Sequence, residues 1–337
     1  MHRDGRPGSL VRQLAAALAA LAFCGGVSRE AGAFCRTTTC GLPPNFAPSE
    51  GECTPPEFAA RCASLDPPAK VLPLYWSNAC VSYDIQKDAS VQVPYDTAVE
   101  LFAQAFATWT GATCPGGGKV SIATSNLGPV ACDQVQYSSD QGNQHVIIFH
   151  DDTWPHPGDS NTTLALTTMT FDPDTGEIYD ADMEINSTPA VPLSLSELVP
   201  DGGYDFRSII THESGHFLGM AHSADGDATM FARYMPGTQT MRDLAPDDIS
   251  GICSVYMPNG ERSVDPSVAS SGTIVEGACD ATPRHGFQSE CAQPVSHGCA
   301  LSSAPGPQGY GAGAAGLAAT ALAFAAGARR RARAARM

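Results

Sequence analysis

Apolar and polar positions alternate with two different periods along this chain, and each period predicts its own kind of element. From Thr97 a period near 3.6 sets in, with Val99, Phe102, Phe106 and Trp109 on one face, Thr97-x-x-Glu100 as a capping box and Gly111 as the stop. This predicts an amphipathic helix packed on a sheet. Short β-rich runs follow at Lys119 to Thr124, His145 to Phe149 and Leu164 to Phe171, the last ending in the turn cluster Asp172-Pro-Asp-Thr-Gly176. Residues 177–186 then alternate strictly. Tyr179, Ala181, Met183 and Ile185 fall on one side, and Asp180, Asp182, Glu184 and Asn186 on the other. That pattern predicts a half-buried strand hairpinned to its predecessor.

Outside this region periodicity is lost. Residues 34–67 are rich in Cys, Pro and Thr, and the globular pattern begins at Val71. Beyond Met257 the Pro, Ser and Gly content rises, which places the end of the compact domain there. The reading is therefore a body at 68–257, preceded by a Cys/Pro-rich segment at 34–67 and followed by a Cys-containing Ser/Pro/Gly-rich stalk at 258–310.

The two ends read as addresses. Arg3, Arg6 and Arg12 precede an Ala/Leu run from Leu14 to Phe23 that is too short to span a bilayer, and Ala31-Gly32-Ala33 offers an A-x-A cleavage site. Residues 1–33 thus read as a secretory leader with Phe34 as the mature start; Cys24 is the alternative, as a lipoprotein acceptor, and bulky Phe23 before it fits that poorly. Residues 311–337 are an apolar segment with Arg329, Arg330, Arg331, Arg333 and Arg336 at its end. This pattern suits a membrane anchor or sorting tail, with a disordered basic tail as the other reading. Gly298-Cys299, the polar spacer, the apolar run and the arginines together resemble the tripartite C-terminal sorting signals of myxobacterial surface proteins.

The formal charge is −16, and between residues 34 and 298 only 10 basic residues face 33 acidic ones. A phosphate-tracking nucleic-acid binder is excluded by that balance. The same span holds ten cysteines, none in C-x-x-C spacing, which with an export leader predicts disulfides rather than a Cys-rich zinc module.

The segment with specific chemistry runs from Asp205 to His222. His212 and His216 are four apart, so a helix begun by Asp205 projects both imidazoles from one face. Glu213 beside them can hold a metal-bound water as general base, and Gly219 lets the chain leave the helix so that His222 returns a third imidazole. Three neutral imidazoles on Zn²⁺ leave the fourth position for water, the mark of a catalytic site. H-E-x-x-H-x-x-G-x-x-H arises by chance in about one chain per 10⁴ to 10⁵. Chance does not explain it.

This motif resembles that of the metzincin metalloendopeptidases. The stretch from His222 to Met230-Phe231 resembles the matrixins in length and character, as does the closing segment Leu244 to Tyr256. The resemblance covers about residues 70 to 257. It implies an α+β fold: a twisted mixed sheet, an N-terminal packing helix, an active-site helix and a closing C-terminal helix. It also implies an exported or cell-surface endopeptidase acting on proteins or peptides, with one catalytic zinc on His212, His216 and His222, Glu213 as general base and Met230 as the Met-turn beneath the metal. Ala232, Arg233 and Tyr234 fall where matrixins wall the specificity pocket, but Phe231-Ala-Arg-Tyr234 replaces Tyr-Pro-x-Tyr, so substrate preference does not carry over. Leu164 to Phe171 matches the rim strand that pairs with an extended substrate, with Leu166 or Thr167 where a histidine is expected, which argues against a second, structural zinc. His145, His150 and His156 with Asp151, Asp152 and Asp159 read as a surface or partly paired cluster, a metal site being the other reading. Asp172, Asp174, Gly176 and the acids of the following strand suit calcium, or a plain turn equally well. Cys40-Gly-Leu-Pro43 lacks the flanking Arg and Asp of the matrixin latency switch, which favours an ordinary disulfide. A catalytically silent zinc-containing surface binding protein or adhesin is the alternative to the enzyme, and intact Glu213 argues against it.

Overall fold

The computed structural model describes residues 34–40, 48, 53–64, 70–156, 163–293 and 320–326. The leader, Cys24, Asp159, Cys299 and the terminal arginines lie outside them. The elements in chain order are β1 (Cys35–Arg36), α1 (Pro56–Ala63), β2 (Cys80–Gln86), α2 (Tyr95–Thr110), β3 (Ala123–Val130), β4 (Val146–His150), β5 (Thr163–Phe171) and β6 (Ile178–Asn186). After these come β7 (Leu193–Ser194), β8 (Tyr204–Asp205), α3 (Phe206–Phe217), β9 (Met220–Ala221), β10 (Arg233–Tyr234), α4 (Pro246–Val255), β11 (Glu261–Ser263), β12 (Thr273–Val275) and β13 (Thr320–Ala326).

The fold is α+β. Its main sheet runs β10-β13-β5-β6-β4-β2-β3, with β3, β2, β4 and β6 parallel and β5 antiparallel to β6. Helices α2 and α3 pack on this sheet through Phe102, Phe106, Trp109, Phe206, Ile209, Ile210 and Phe217, which join Tyr83, Ile147, Phe149, Met183 and Ile185 in one core. Aromatic contacts tie the layers: Tyr83 stacks on Phe106 with centroids 4.3 Å apart, and Phe106 meets Phe217 edge-on at 5.1 Å.

Four local expectations change. The capping box at Thr97 does not form, because α2 starts two residues earlier behind Pro94, whose fixed φ suits the helix entry, and Asp96 supplies the first-turn acid. The strand expected at Lys119 to Thr124 is instead β3, displaced to Ala123–Val130. Gly116, Gly117 and Gly118 all have positive φ, and the turn they make takes up the chain as far as Lys119. The β6 strand is buried on both faces rather than one. Its polar side is covered because Asp182 accepts from the Gln136 and Val146 amides at 2.9 and 2.8 Å, and Glu184 meets the Nε2 atoms of His150 and His156 at 2.8 and 2.7 Å.

The fourth change lies beyond Met257. Residues 258–293 are not a free stalk but pack back on the body. Arg262 is fully buried, and its guanidinium donates to the carbonyls of Trp76, Asn78 and Ser121 and to the Ser121 hydroxyl. Cys80–Cys279 and Cys132–Cys291 fasten the same segment covalently. The remaining described cysteines pair as Cys35–Cys53, Cys40–Cys62 and Cys114–Cys253, so Cys40 is held in a disulfide. Among the described residues no helix is long and apolar enough to cross a membrane, and Thr320–Ala326 of the apolar tail is a strand of the main sheet.

Candidate metal centre

Helix α3 begins where Asp205 caps it, its carboxylate accepting from the Ser208 amide at 3.0 Å and the Ser208 hydroxyl at 2.7 Å. Arg242 clamps the same carboxylate through Nε and Nη2 at 2.8 and 2.7 Å. The helix ends at Phe217, and Gly219 at φ +90° turns the chain away while its amide bonds the His216 carbonyl. A side chain there would meet the Leu74 carbonyl oxygen at 3.1 Å, so the reversal that delivers His222 needs glycine.

The three imidazoles converge in the interior. Ring centroids of His212, His216 and His222 are 4.7 to 5.3 Å apart, and one ligand nitrogen from each lies within 4.8 Å of the others. The other nitrogens are used for orientation: Nδ1 of His212 bonds the Thr229 carbonyl at 2.6 Å, and Nδ1 of His216 the Met220 carbonyl at 2.8 Å. A carbonyl fixes Nδ1 as the protonated nitrogen and leaves Nε2 with its lone pair inward. Burial and mutual repulsion push His212 well below the ordinary histidine pKa, and burial does the same to His216, so both rings are neutral at pH 7 and could each offer a lone pair to a metal. His216 Nε2 is buried with no hydrogen-bond partner, as is Oε1 of Glu213. A tetrahedral dication with borderline-soft character fits this donor set; zinc is the ion that matches.

Glu213 is fully buried on the same helix, and its Oε2 accepts 2.6 Å from the hydroxyl of Thr167 on β5. Burial pushes its carboxyl up to about 8, with the Thr167 bond opposing. A cation on the neighbouring imidazoles would favour the carboxylate. Below the histidines, Met230 and Trp109 press against α3 at Gly215. A Cβ there would stand 2.3 Å from Met230 Sδ and 2.5 Å from the Trp109 ring, and Trp109 Nε1 donates 2.7 Å to the Thr211 carbonyl.

Several groups that shape the centre escaped the sequence reading. Asp248 accepts from the amides of Thr229, Met230 and Ala245 at 2.7, 3.0 and 2.8 Å, and so holds the turn that carries both Met230 and the carbonyl aiming His212. Its only sequence signal was its place three residues into the closing helix behind Ala245-Pro246. Thr167 and Gly215 had none that pointed to a role. Of the expected pocket wall, Tyr234 and Ala232 are buried and Arg233 is exposed; Tyr234 accepts from the Asp205 amide at 2.9 Å and donates to the Thr238 carbonyl. Among the described residues the three histidines form the one metal-ligand cluster, and His150 and His156 are paired with Glu184 instead. Asp172 accepts from the Tyr179 hydroxyl and the Asp174 amide, as a turn does.

Residues 75–257 match the family model described as Matrixin. This chain belongs to the matrixin family. Matrixins are zinc metalloendopeptidases that use zinc and calcium, and are generally extracellular. Among similar proteins, Metalloendoproteinase 1-MMP of Arabidopsis thaliana is 26% identical over 214 residues, covering 60% of this chain and 50% of that protein. Matrilysin of Homo sapiens is 36% identical over 114 residues, 34% of this chain and 38% of its own. Matrix metalloproteinase-C of Caenorhabditis elegans is 25% identical over 214 residues, 60% of this chain and 33% of its own. The matrixin chain described here therefore spans half or less of these relatives.

Proposed function

We propose that this matrixin is an exported zinc-dependent endopeptidase. The observation that carries the reading is the meeting of three buried, convergent imidazoles with a buried glutamate that has one oxygen held by Thr167 and the other free. His212, His216 and His222 would hold the zinc, which when bound supplies a Lewis acid that lowers the pKa of water and polarises a peptide carbonyl. Glu213 Oε1 takes the proton from the attacking water and passes it to the departing amine, while Thr167 keeps the carboxylate aimed. Substrate would lie extended along β5, taking the backbone donors and acceptors that β13 otherwise pairs with, and Ala232, Arg233 and Tyr234 wall the site beyond it. Met230 packs under the histidines and touches no reacting atom.

Export follows from the leader at 1–33 with its cut before Phe34, and ten paired cysteines suit an oxidising compartment. The tail at 311–337 would engage a membrane or sorting machinery. The test is a peptide-library digest with the full chain, with its Glu213→Gln variant and with a zinc chelator, together with metal content. Cleavage that needs about one zinc per chain and vanishes in the variant while zinc remains is the expected result. Undiminished proteolysis by pure Glu213→Gln protein overturns the assignment.

A further inference from the structure

An extended peptide that presents a carbonyl to Glu213 must lie in the channel between β5 and β10. Strand β5 carries Thr167, which holds Glu213, and β10 follows directly on the Met230 turn. In this chain that channel is filled by β13. Thr320–Ala326 runs antiparallel to β5, with Thr320 opposite Met169, Leu322 opposite Thr167 and Phe324 opposite Ala165, and a register shift falls between Phe324 and Ala325. On its other side it runs parallel to β10, with Ala325 opposite Arg233 and Ala326 opposite Tyr234. Among the described residues β13 is the sole link between β10 and the rest of the sheet. Both walls of the channel thus spend their edge on the chain's own tail, which crosses at the level of the threonine that holds the general base.

We infer that residues 320–326 are an intramolecular plug, seated by β-augmentation where substrate has to lie, and that the full chain is in equilibrium between a major closed form and a minor open one from which this segment is withdrawn. The segment Thr-Ala-Leu-Ala-Phe-Ala-Ala has neither charge nor proline. It therefore inserts in a ladder without burying a charge or losing an amide donor. Weak pairing is enough, because tethering gives the tail an effective concentration in the ~mM range that a dilute substrate does not match. The plug competes with substrate alone, so it acts on KM and leaves kcat. A closed-to-open ratio of about ten raises apparent KM about tenfold. The consequence for activity rests on the endopeptidase reading; the seat itself does not.

The experiment compares the intact chain with the Ala323→Pro, Ala325→Pro double variant, since proline removes the amide and does not stand in a ladder. A second variant replaces 320–326 by a Gly/Ser stretch of equal length, which has no strand preference. Backbone hydrogen exchange over 163–171 and 233–234 is measured on the zinc-loaded Glu213→Gln background, and KM for a short peptide on the active one. The expected result is exchange about tenfold faster in both variants, and KM lower by about the same factor at unchanged kcat. Equal exchange in all three chains, or an unchanged KM in active ones, overturns the plug. Faster exchange with no peptide cleaved by any form supports the seat and overturns the endopeptidase reading instead.

Discussion

Thr167 on the rim strand donates a 2.6 Å hydrogen bond to Oε2 of Glu213 on the histidine helix, and so ties β5 to the buried carboxylate beside the three imidazoles. A hydroxyl bond to a carboxylate is worth about 1.5–3 kcal/mol, and replacing it with an isosteric methyl leaves Oε2 buried and unpaired. Thr167→Val should lower kcat/KM by about tenfold or more while zinc content stays at that of the parent chain. Steady-state kinetics beside metal analysis checks this. Unchanged kcat/KM would show that Glu213 needs no such support.

Gly215 is where α3 rests on Met230 and Trp109. Gly215→Ala puts a methyl into atoms that leave no room, and overpacking of this kind costs about 1–3 kcal/mol. The expected loss is visible as a lower denaturant midpoint with unchanged slope, and zinc should be held less tightly because His212 and His216 flank the displaced turn. Helix propensity alone would predict the opposite sign.

Asp248→Ala removes one carboxylate and strands three backbone amides, those of Thr229, Met230 and Ala245. At about 1–3 kcal/mol for each unpaired buried donor the variant should be severely destabilised. Asp248→Asn, which keeps one acceptor oxygen, should recover part of the loss. Urea unfolding of the two variants against the parent measures the difference.

Asp84 sits in β2 with both carboxylate oxygens buried, and burial pushes its pKa up to about 7 against the opposing backbone contacts of His145 and Leu127. The folded state thus holds a proton on Asp84 that the unfolded chain releases near 3.8. Its contribution is therefore full below about pH 4 and is lost as pH rises through about 7. Asp84→Asn, which cannot ionise, should raise stability at pH 8 by about 2–4 kcal/mol and leave it little changed at pH 4. Unfolding free energies of both chains at the two pH values check the sign.

The histidine centre was legible because its chemistry is local: H-E-x-x-H places ligands one helical turn apart, and Gly219 marks where the helix must stop for His222 to return. The core helices were legible through their 3.6 period. What was not legible is held by long-range polar contacts. Asp182 and Glu184 read as a solvated face, yet the loop amides and His150 and His156 that satisfy them come from other parts of the chain. Strand β3 is mostly polar, with Gly128 and Pro129 inside it, as an edge strand tolerates, so its composition reads as loop. Residues 258–293 show no periodicity because Arg262 and two disulfides, rather than a stripe of apolar residues, hold them down. The apolar tail reads as a membrane segment by composition alone; only the free edge of β5 gives it a place as a strand.

The disulfides Cys80–Cys279 and Cys132–Cys291 also determine how the molecule bears mechanical load. A pull on residues beyond Gln293 is received first at Cys291 and handed to Cys132, just past the end of β3, with Cys279 and Cys80 as the second stop. That path enters the sheet at the margin remote from β5 and bypasses α3 and the histidine centre. Traction on the tail strand would be spent on ladder hydrogen bonds before reaching these covalent anchors. Once β13 has left β5 and β10, the chain can accordingly be hauled from beyond Gln293 with its histidine centre slack.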